Sequence, residues 1–278
     1  MRYIGGHVST AGGIPNAIDK TIKIGGNCLQ IFAGSPRLWA RKPFPENDVK
    51  EYLSRVRTHG LGPTFIHALY LVNLATNNPD LLEKSINSLV ADLQNGLLIN
   101  SSGVIVHIGS HQGRGFDEVK DQLVAVIERI LGETTSTDLI LENDAGQNGK
   151  IGSPEELSFL LDKIKDKRLK ICLDTAHLFE SGIDLRQDLS TKKFINDLDK
   201  LNILDKIVCL HLNDSSTDLN SHRDMHANLG EGKIGLAGLK QTVNQKEFSH
   251  LPLILEVPGE KKTGPNKENI VRAFSLVD

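Results

Sequence analysis

The 278 residues are 39% hydrophobic and 24% charged, with a formal net charge of -3. Those values fit an ordinary soluble globular chain and exclude a nucleic-acid binder held by bulk positive charge. No apolar stretch reaches the roughly 20 residues of a membrane span, so no membrane partner is expected. Cys28, Cys172 and Cys209 lie in apolar runs and form no C-x-x-C pair. They read as small core residues in a reducing compartment, which points to the cytoplasm. Met1 leads straight into a strand-like run, leaving no room for a signal peptide.

Short apolar runs then alternate with longer amphipathic ones. The runs are 3–6, 28–32, 64–66, 104–106, 139–141, 171–173, 207–210 and 253–255. Between the third and fourth, Leu81, Leu82, Ile86, Leu89, Val90 and Leu93 recur at helical spacing behind Asn78-Pro79, a cap residue and a first-turn proline. Val119, Leu123, Val126, Ile127 and Ile130 mark another helix. Ser153-Pro154-Glu155-Glu156 opens a third with the spacing of a capping box. Unbroken apolar strands separated by helices imply parallel strands buried on both faces. Eight such units predict a closed (β/α)8 TIM barrel. No linker or composition shift divides the chain, so one domain spanning 1–278 is expected. Segments 145–149 and 213–228 read as long loops after strands.

Catalytic groups in such a barrel come from the C-terminal ends of the strands. Those ends carry His7, nothing ionisable near Phe32, then His67, His107, Glu142, Asp174, His211 and Glu256. With 35 acidic residues and 10 histidines in 278, such a concentration exceeds chance scatter. A lone histidine at a strand end is ordinarily structural, and one salt bridge can account for a lone carboxylate. Several carboxylates at one mouth repel one another unless cations are present. Histidine and carboxylate without thiolate suit Zn²⁺, Mn²⁺ or Fe²⁺ better than Ca²⁺. Two further candidates are His177, on what reads as a tight turn after Asp174, and the Asp224-Met225-His226 triplet beside the glycine turn Leu229-Gly230-Glu231-Gly232.

Together these residues resemble the endonuclease IV family of apurinic/apyrimidinic endonucleases over essentially the whole chain. The matching stretches are Gly6-His7-Val8-Ser9 with Ala11-Gly12-Gly13, Leu141-Glu142-Asn143 with Ala145-Gly146-Gln147, and Cys172-Leu173-Asp174-Thr175 with His177. They continue with His211-Leu212-Asn213-Asp214, Asp224-x-His226 with Gly230-Glu231-Gly232, and Leu253-Ile254-Leu255-Glu256. The resemblance implies a three-zinc barrel that hydrolyses duplex DNA 5′ to an abasic site, leaving a 3′-hydroxyl and a 5′-deoxyribose phosphate. By the same resemblance His67, His107 and Glu142 hold one ion. Glu142 bridges to a second, completed by Asp174, His211 and Glu256. His177, Asp224 and His226 hold the third. Glu142, positioning the attacking hydroxide, and Glu256 are the expected catalytic carboxylates. Bridged ions in such sites stand roughly 3.5–4 Å apart and share a hydroxide that attacks in line, while the third ion would take charge on the leaving 3′-oxygen. Mn²⁺ or Fe²⁺ could occupy some sites. A 3′-end phosphatase or phosphodiesterase activity is a further implication. His7 is no family ligand and is read as a supporting or structural group.

Arg37, Arg41, Lys42, Arg114, Lys150, Arg223, Lys233, Lys261 and Lys262 fall in the predicted loops at the mouth. Positive charge concentrated there is what backbone binding needs. By resemblance, Arg37 and Tyr70 enter the duplex at the lesion, Trp39 packs beneath that loop, and Arg223 contacts DNA; the protein acts as a monomer. The chain departs from the family pattern at Gly34-Ser35, Ile108, Gly182-Ile183-Asp184, Ser216 and Met225, departures expected to weaken phosphate contacts. The main rival is a metal-dependent sugar isomerase or epimerase on the same barrel, which has no use for the group His177, Asp224 and His226. A lesion binder without catalysis is disfavoured by the complete ligand set.

Overall fold

The computed structural model describes residues 2–278. Its strands are β1 (Ile4–His7), β2 (Cys28–Phe32), β3 (Thr64–His67), β4 (Gly103–His107), β5 (Asp138–Glu142), β6 (Leu169–Asp174), β7 (Ile207–His211), β8 (Asp214–Ser215), β9 (His226–Ala227) and β10 (Leu253–Leu255). β8 and β9 pair antiparallel within the loop after β7, and the other eight close a parallel barrel. Closure runs through β1 and β10, with Gly5 level with Ile254.

The helices are α1 (Pro15–Ile24), α2 (Glu46–His59), α3 (Pro79–Leu98), α4 (Phe116–Gly132), α5 (Pro154–Lys163), α6 (Thr175–Glu180), α7 (Asp188–Lys200), α8 (Gly235–Val243) and α9 (Lys267–Leu276). The Asn78 side chain accepts from Leu81 N at the start of α3. At α5 the Ser153 hydroxyl accepts from Glu156 N while the Glu156 carboxylate accepts from Ser153 N. Both caps stand where the sequence places them. Among the described residues, no helix is long and apolar enough to cross a membrane.

Two local expectations change. The segment after Asp174 is a short helix rather than a bare turn, because the Asp174 Oδ1 caps it by accepting from Ala176 N and His177 N at 2.7 and 3.0 Å. The loop 213–228 is also more ordered than its polar composition implies. β8 and β9 staple it, and the buried Asp214 carboxylate accepts from the backbone N–H groups of Gly230, Gly232, Ile234 and Gly235.

The main apolar core lies between strands and helices. A second cluster fills the lumen: Cys28, Phe65, Ile105, Ile140, Cys172, Cys209 and Ile254, one from each barrel strand except β1. All three cysteines are therefore core residues, as expected. β1 contributes Gly5 at this level, and a Cβ there would overlap the Cys28 carbonyl. Gly5→Ala should cost about 3 kcal/mol in chemical denaturation through overpacking. Gly132→Ala, at the end of α4 with open space around it, should be neutral or stabilising by up to about 0.5 kcal/mol. Equal effects would contradict this packing of the lumen.

Candidate metal centre

Side chains on a strand alternate between faces, so the next lumen-facing position lies two residues further along. Two residues beyond the plug stand His7, Gln30, His67, His107, Glu142, Asp174, His211 and Glu256. The expected strand ends are thus brought together, and Gln30 joins them. The strands are staggered, so depth varies: Gln30 is level with Phe65 of the plug, while Phe32 takes the mouth position in β2. There Phe32 packs on His7, with ring centroids 4.2 Å apart. Sequence reasoning missed Gln30 because it looked for ionisable groups at the very end of the strand; the period of two would have found it.

Glu142 lies at the centre and is fully buried. Its Oε2 is 3.3 Å from His67 Nε2 and 3.5 Å from His107 Nε2, and its Oε1 is 2.9 Å from His211 Nδ1. One carboxylate therefore presents an oxygen to each of two groups. His211 Nδ1 is also 3.2 Å from Glu256 Oε2 and 3.9 Å from Asp174 Oδ2. Burial raises the Glu142 carboxyl, but the charges of His107 and His211 prevail and hold it well below its usual range. His67, His107 and Glu142 offer atoms within 4.8 Å of one another, as do Glu142, Asp174, His211 and Glu256.

Whether these residues fit ions can be judged from the free nitrogens. His67 Nδ1–H donates to Ala68 O (2.7 Å) and His177 Nδ1–H to Asn143 O (3.0 Å), while His226 Nδ1 faces Glu256 O (3.4 Å). That leaves each Nε2 turned toward carboxylates, the arrangement of histidines that bind metal through one nitrogen and are oriented through the other. Nε2 of His177 and of His226 are buried without a hydrogen-bond partner. They nevertheless lie 3.2 and 3.6 Å from Asp224 Oδ1. Buried nitrogens that converge on carboxylates in this way fit a shared cation. His107 is the exception, because its Nδ1 has no partner.

The third group is broader than the expected trio. His177 lies in one cluster with Asp174 and His226, and in another with Glu180 and Asp224. Glu180, three residues after His177 on α6, was not singled out from the sequence. Its Oε1 accepts from Ser215 Oγ (2.6 Å), Thr217 Oγ1 (3.3 Å) and Met225 N (3.2 Å), tying the loop of Asp224 and His226 to the helix of His177. Asn213 holds two more members, donating to Asp174 Oδ2 (2.6 Å) and accepting from Glu256 N (2.8 Å).

Of the candidate DNA contacts, Arg37 and Arg223 are exposed, and Tyr70 is 63% exposed with its ring edge-on to Phe32. Trp39 is half-buried against the core. Arg41 must be withdrawn from the basic rim. Its guanidinium is buried, donating to Asp92 at 2.9 Å and to Ser35 O and Leu38 O. Asn95 completes this anchor by accepting from Phe44 N and donating to Lys42 O. Arg41 thus shapes the loop carrying Arg37 and Trp39 rather than adding free charge.

The fold and site define a (β/α)8 barrel with clustered histidines and carboxylates able to bind metal. Residues 18–277 match the family model of the xylose isomerase-like TIM barrel. The probable endonuclease 4 of Halothermothrix orenii is 39% identical over 95% of this chain and 96% of its own length. The crystal structure of endonuclease IV from Thermus thermophilus superposes with a TM-score of 0.84 at 34% identity, covering 98% of this chain and 97% of that one. A D-tagatose 3-epimerase-like protein, at 18% identity and TM-score 0.71 over 98% of this chain and 95% of its own, shares the fold alone. The chain belongs to the endonuclease IV family.

Burial opposes protonation of His177, yet Asp174, Asp224 and Glu142 outweigh it and hold the imidazole well above its usual 6.5. A histidine raised on folding contributes stability that is complete below 6.5 and lost as pH rises through its folded value. The Tm of chelator-treated protein should therefore fall as the pH is raised above about 6.5. With excess Zn²⁺ it should hold or rise, because metal binds the deprotonated ring. Parallel slopes in thermal melts would show that His177 does not carry this proton.

Proposed function

We propose that the chain is a DNA-repair endonuclease that hydrolyses the phosphodiester 5′ to an abasic site in duplex DNA, leaving a 3′-hydroxyl and a 5′-deoxyribose phosphate. The observation that carries this reading is the group of His177 on α6, Asp224 in the β8–β9 loop and His226 on β9, next to the lumen ligands but outside them. Acting on a small sugar needs one or two ions at the mouth of the lumen. A group further out fits a substrate whose reacting phosphate lies across the mouth, with charge appearing on two oxygens.

In this reading His67, His107 and Glu142 hold one Zn²⁺, Glu142, Asp174, His211 and Glu256 a second, and His177, Asp224 and His226 a third, with Mn²⁺ or Fe²⁺ as substitutes in some sites. Bound ions supply Lewis acidity to the phosphate and lower the pKa of a water. Glu142, with one oxygen facing His67 and His107 and the other facing His211, would belong to both of the first two sites. Glu256 is held by Gln30 and Asn213 and so arrives oriented. Arg37, Tyr70, Trp39 and Arg223 are proposed to grip the duplex, Arg37 and Trp39 from a loop that the Arg41–Asp92 pair preforms. Trimming of blocked 3′ ends would use the same site. We further take the 1–278 unit to act as a monomer in the cytoplasm, where unpaired buried cysteines stay reduced.

The test is incision of a duplex carrying one tetrahydrofuran abasic analogue, which cannot undergo β-elimination. Zinc-loaded protein should cut on its 5′ side and leave a 3′-hydroxyl. Chelation should abolish the cut, and added Zn²⁺ should restore it. Intact duplex after incubation with fully metallated protein, together with interconversion of ketose epimers, would establish the sugar-epimerase alternative instead.

A further inference from the structure

Gln30 is fully buried in β2, at the level of an otherwise apolar lumen plug. A buried amide without partners is costly, so its presence there needs an explanation. Every hydrogen bond of its side chain is to the centre. Its Oε1 is 2.9 Å from His211 Nε2, and its Nε2 is 2.6 Å from Glu256 Oε1 and 3.0 Å from His7 Nδ1. We propose that Gln30 is the positioning residue of the ion site formed by Glu142, Asp174, His211 and Glu256. Its amide decides which nitrogen of His211 faces the ion and which way Glu256 turns. The inference rests on the reading that these four residues hold an ion.

An amide oxygen can only accept, so His211 Nε2 carries a hydrogen and Nδ1 is the nitrogen left to bind an ion. That Nδ1 is the atom facing Glu142 Oε1 and Glu256 Oε2, at 2.9 and 3.2 Å. The amide nitrogen can only donate, so it holds Glu256 Oε1 and leaves Oε2 toward His211. Reversing the amide would set its oxygen against a carboxylate and its N–H against the N–H of His211. Both orientations are therefore locked together by one uncharged side chain. A carboxylate in its place could still accept from His211 but would repel Glu256.

The test uses full-length Gln30→Met, nearly isosteric without the amide, and Gln30→Glu, which keeps size and polarity, cannot donate once ionised and is assayed at a pH where its new carboxyl is ionised. Each is loaded with Zn²⁺, challenged with chelator and counted for retained ions. The Co²⁺-substituted forms are compared by visible absorption. Both variants should lose one ion about 10–100-fold more readily than the parent while keeping the others. The Co²⁺ band of that site should also change shape. Wild-type retention of every ion in a folded variant would overturn the inference, and so would an unaltered Co²⁺ spectrum. A parent protein that retains no ion would overturn the metal reading beneath it. If Gln30→Met fails to fold, Gln30→Glu decides, because a role in packing alone would leave its ions in place.

Discussion

The constraint on which the site depends is the cost of holding like charges out of water. Glu142 and Asp174 are fully buried, and Glu256 is nearly so. Such carboxylates are tolerated only when cations answer them. Here imidazoles face them at close range, with the amides of Gln30 and Asn213 donating to Glu256 and Asp174, and the imidazole nitrogens can hold a metal ion in place of a proton. The barrel makes this convergence unavoidable. Eight strands run in one direction around a plug with little spare space, so the next lumen-facing side chains meet at the mouth.

What lies outside the strands is built to complete that convergence. Asp174 ends β6 and caps α6, so one carboxylate serves the lumen and fixes the helix that presents His177. Asp214 gathers the glycine turn beyond β9, and Glu180 ties the Asp224 loop back to α6. On the opposite rim, the buried pair of Arg41 and Asp92 shapes the loop of Arg37 and Trp39. Each flexible-looking segment near the mouth is thus held by a buried polar group that touches backbone. Preformed loops let a binding surface keep more of its contact energy, because less ordering remains to be done on association.

The barrel was legible because each of its eight strands is a short apolar run, and the helices between them announce themselves by periodicity and by caps at Asn78 and Ser153. The ligand-type residues were legible because ionisable groups ending apolar runs are conspicuous. Gln30 was not, since it is uncharged and sits one lumen step deeper than the end of its strand. Glu180 was hidden for a different reason: its partners Ser215, Thr217 and Met225 come from a loop whose path only the tertiary structure defines. Arg41 was misread as rim charge because its counter-ion, Asp92, is 51 residues away on α3. A local pattern reveals what a strand or helix presents, whereas a buried polar contact between distant segments leaves no mark on either one.

The central claim is that this centre holds divalent ions between these side chains. Anomalous scattering at the zinc absorption edge, from crystals of the Zn²⁺-loaded protein, tests it most directly. The account predicts a peak between His67, His107 and Glu142, a second between Glu142, Asp174, His211 and Glu256, and a third among His177, Asp224 and His226. A lumen mouth free of anomalous density, with its histidines hydrogen-bonded only to carboxylates and water, would contradict it.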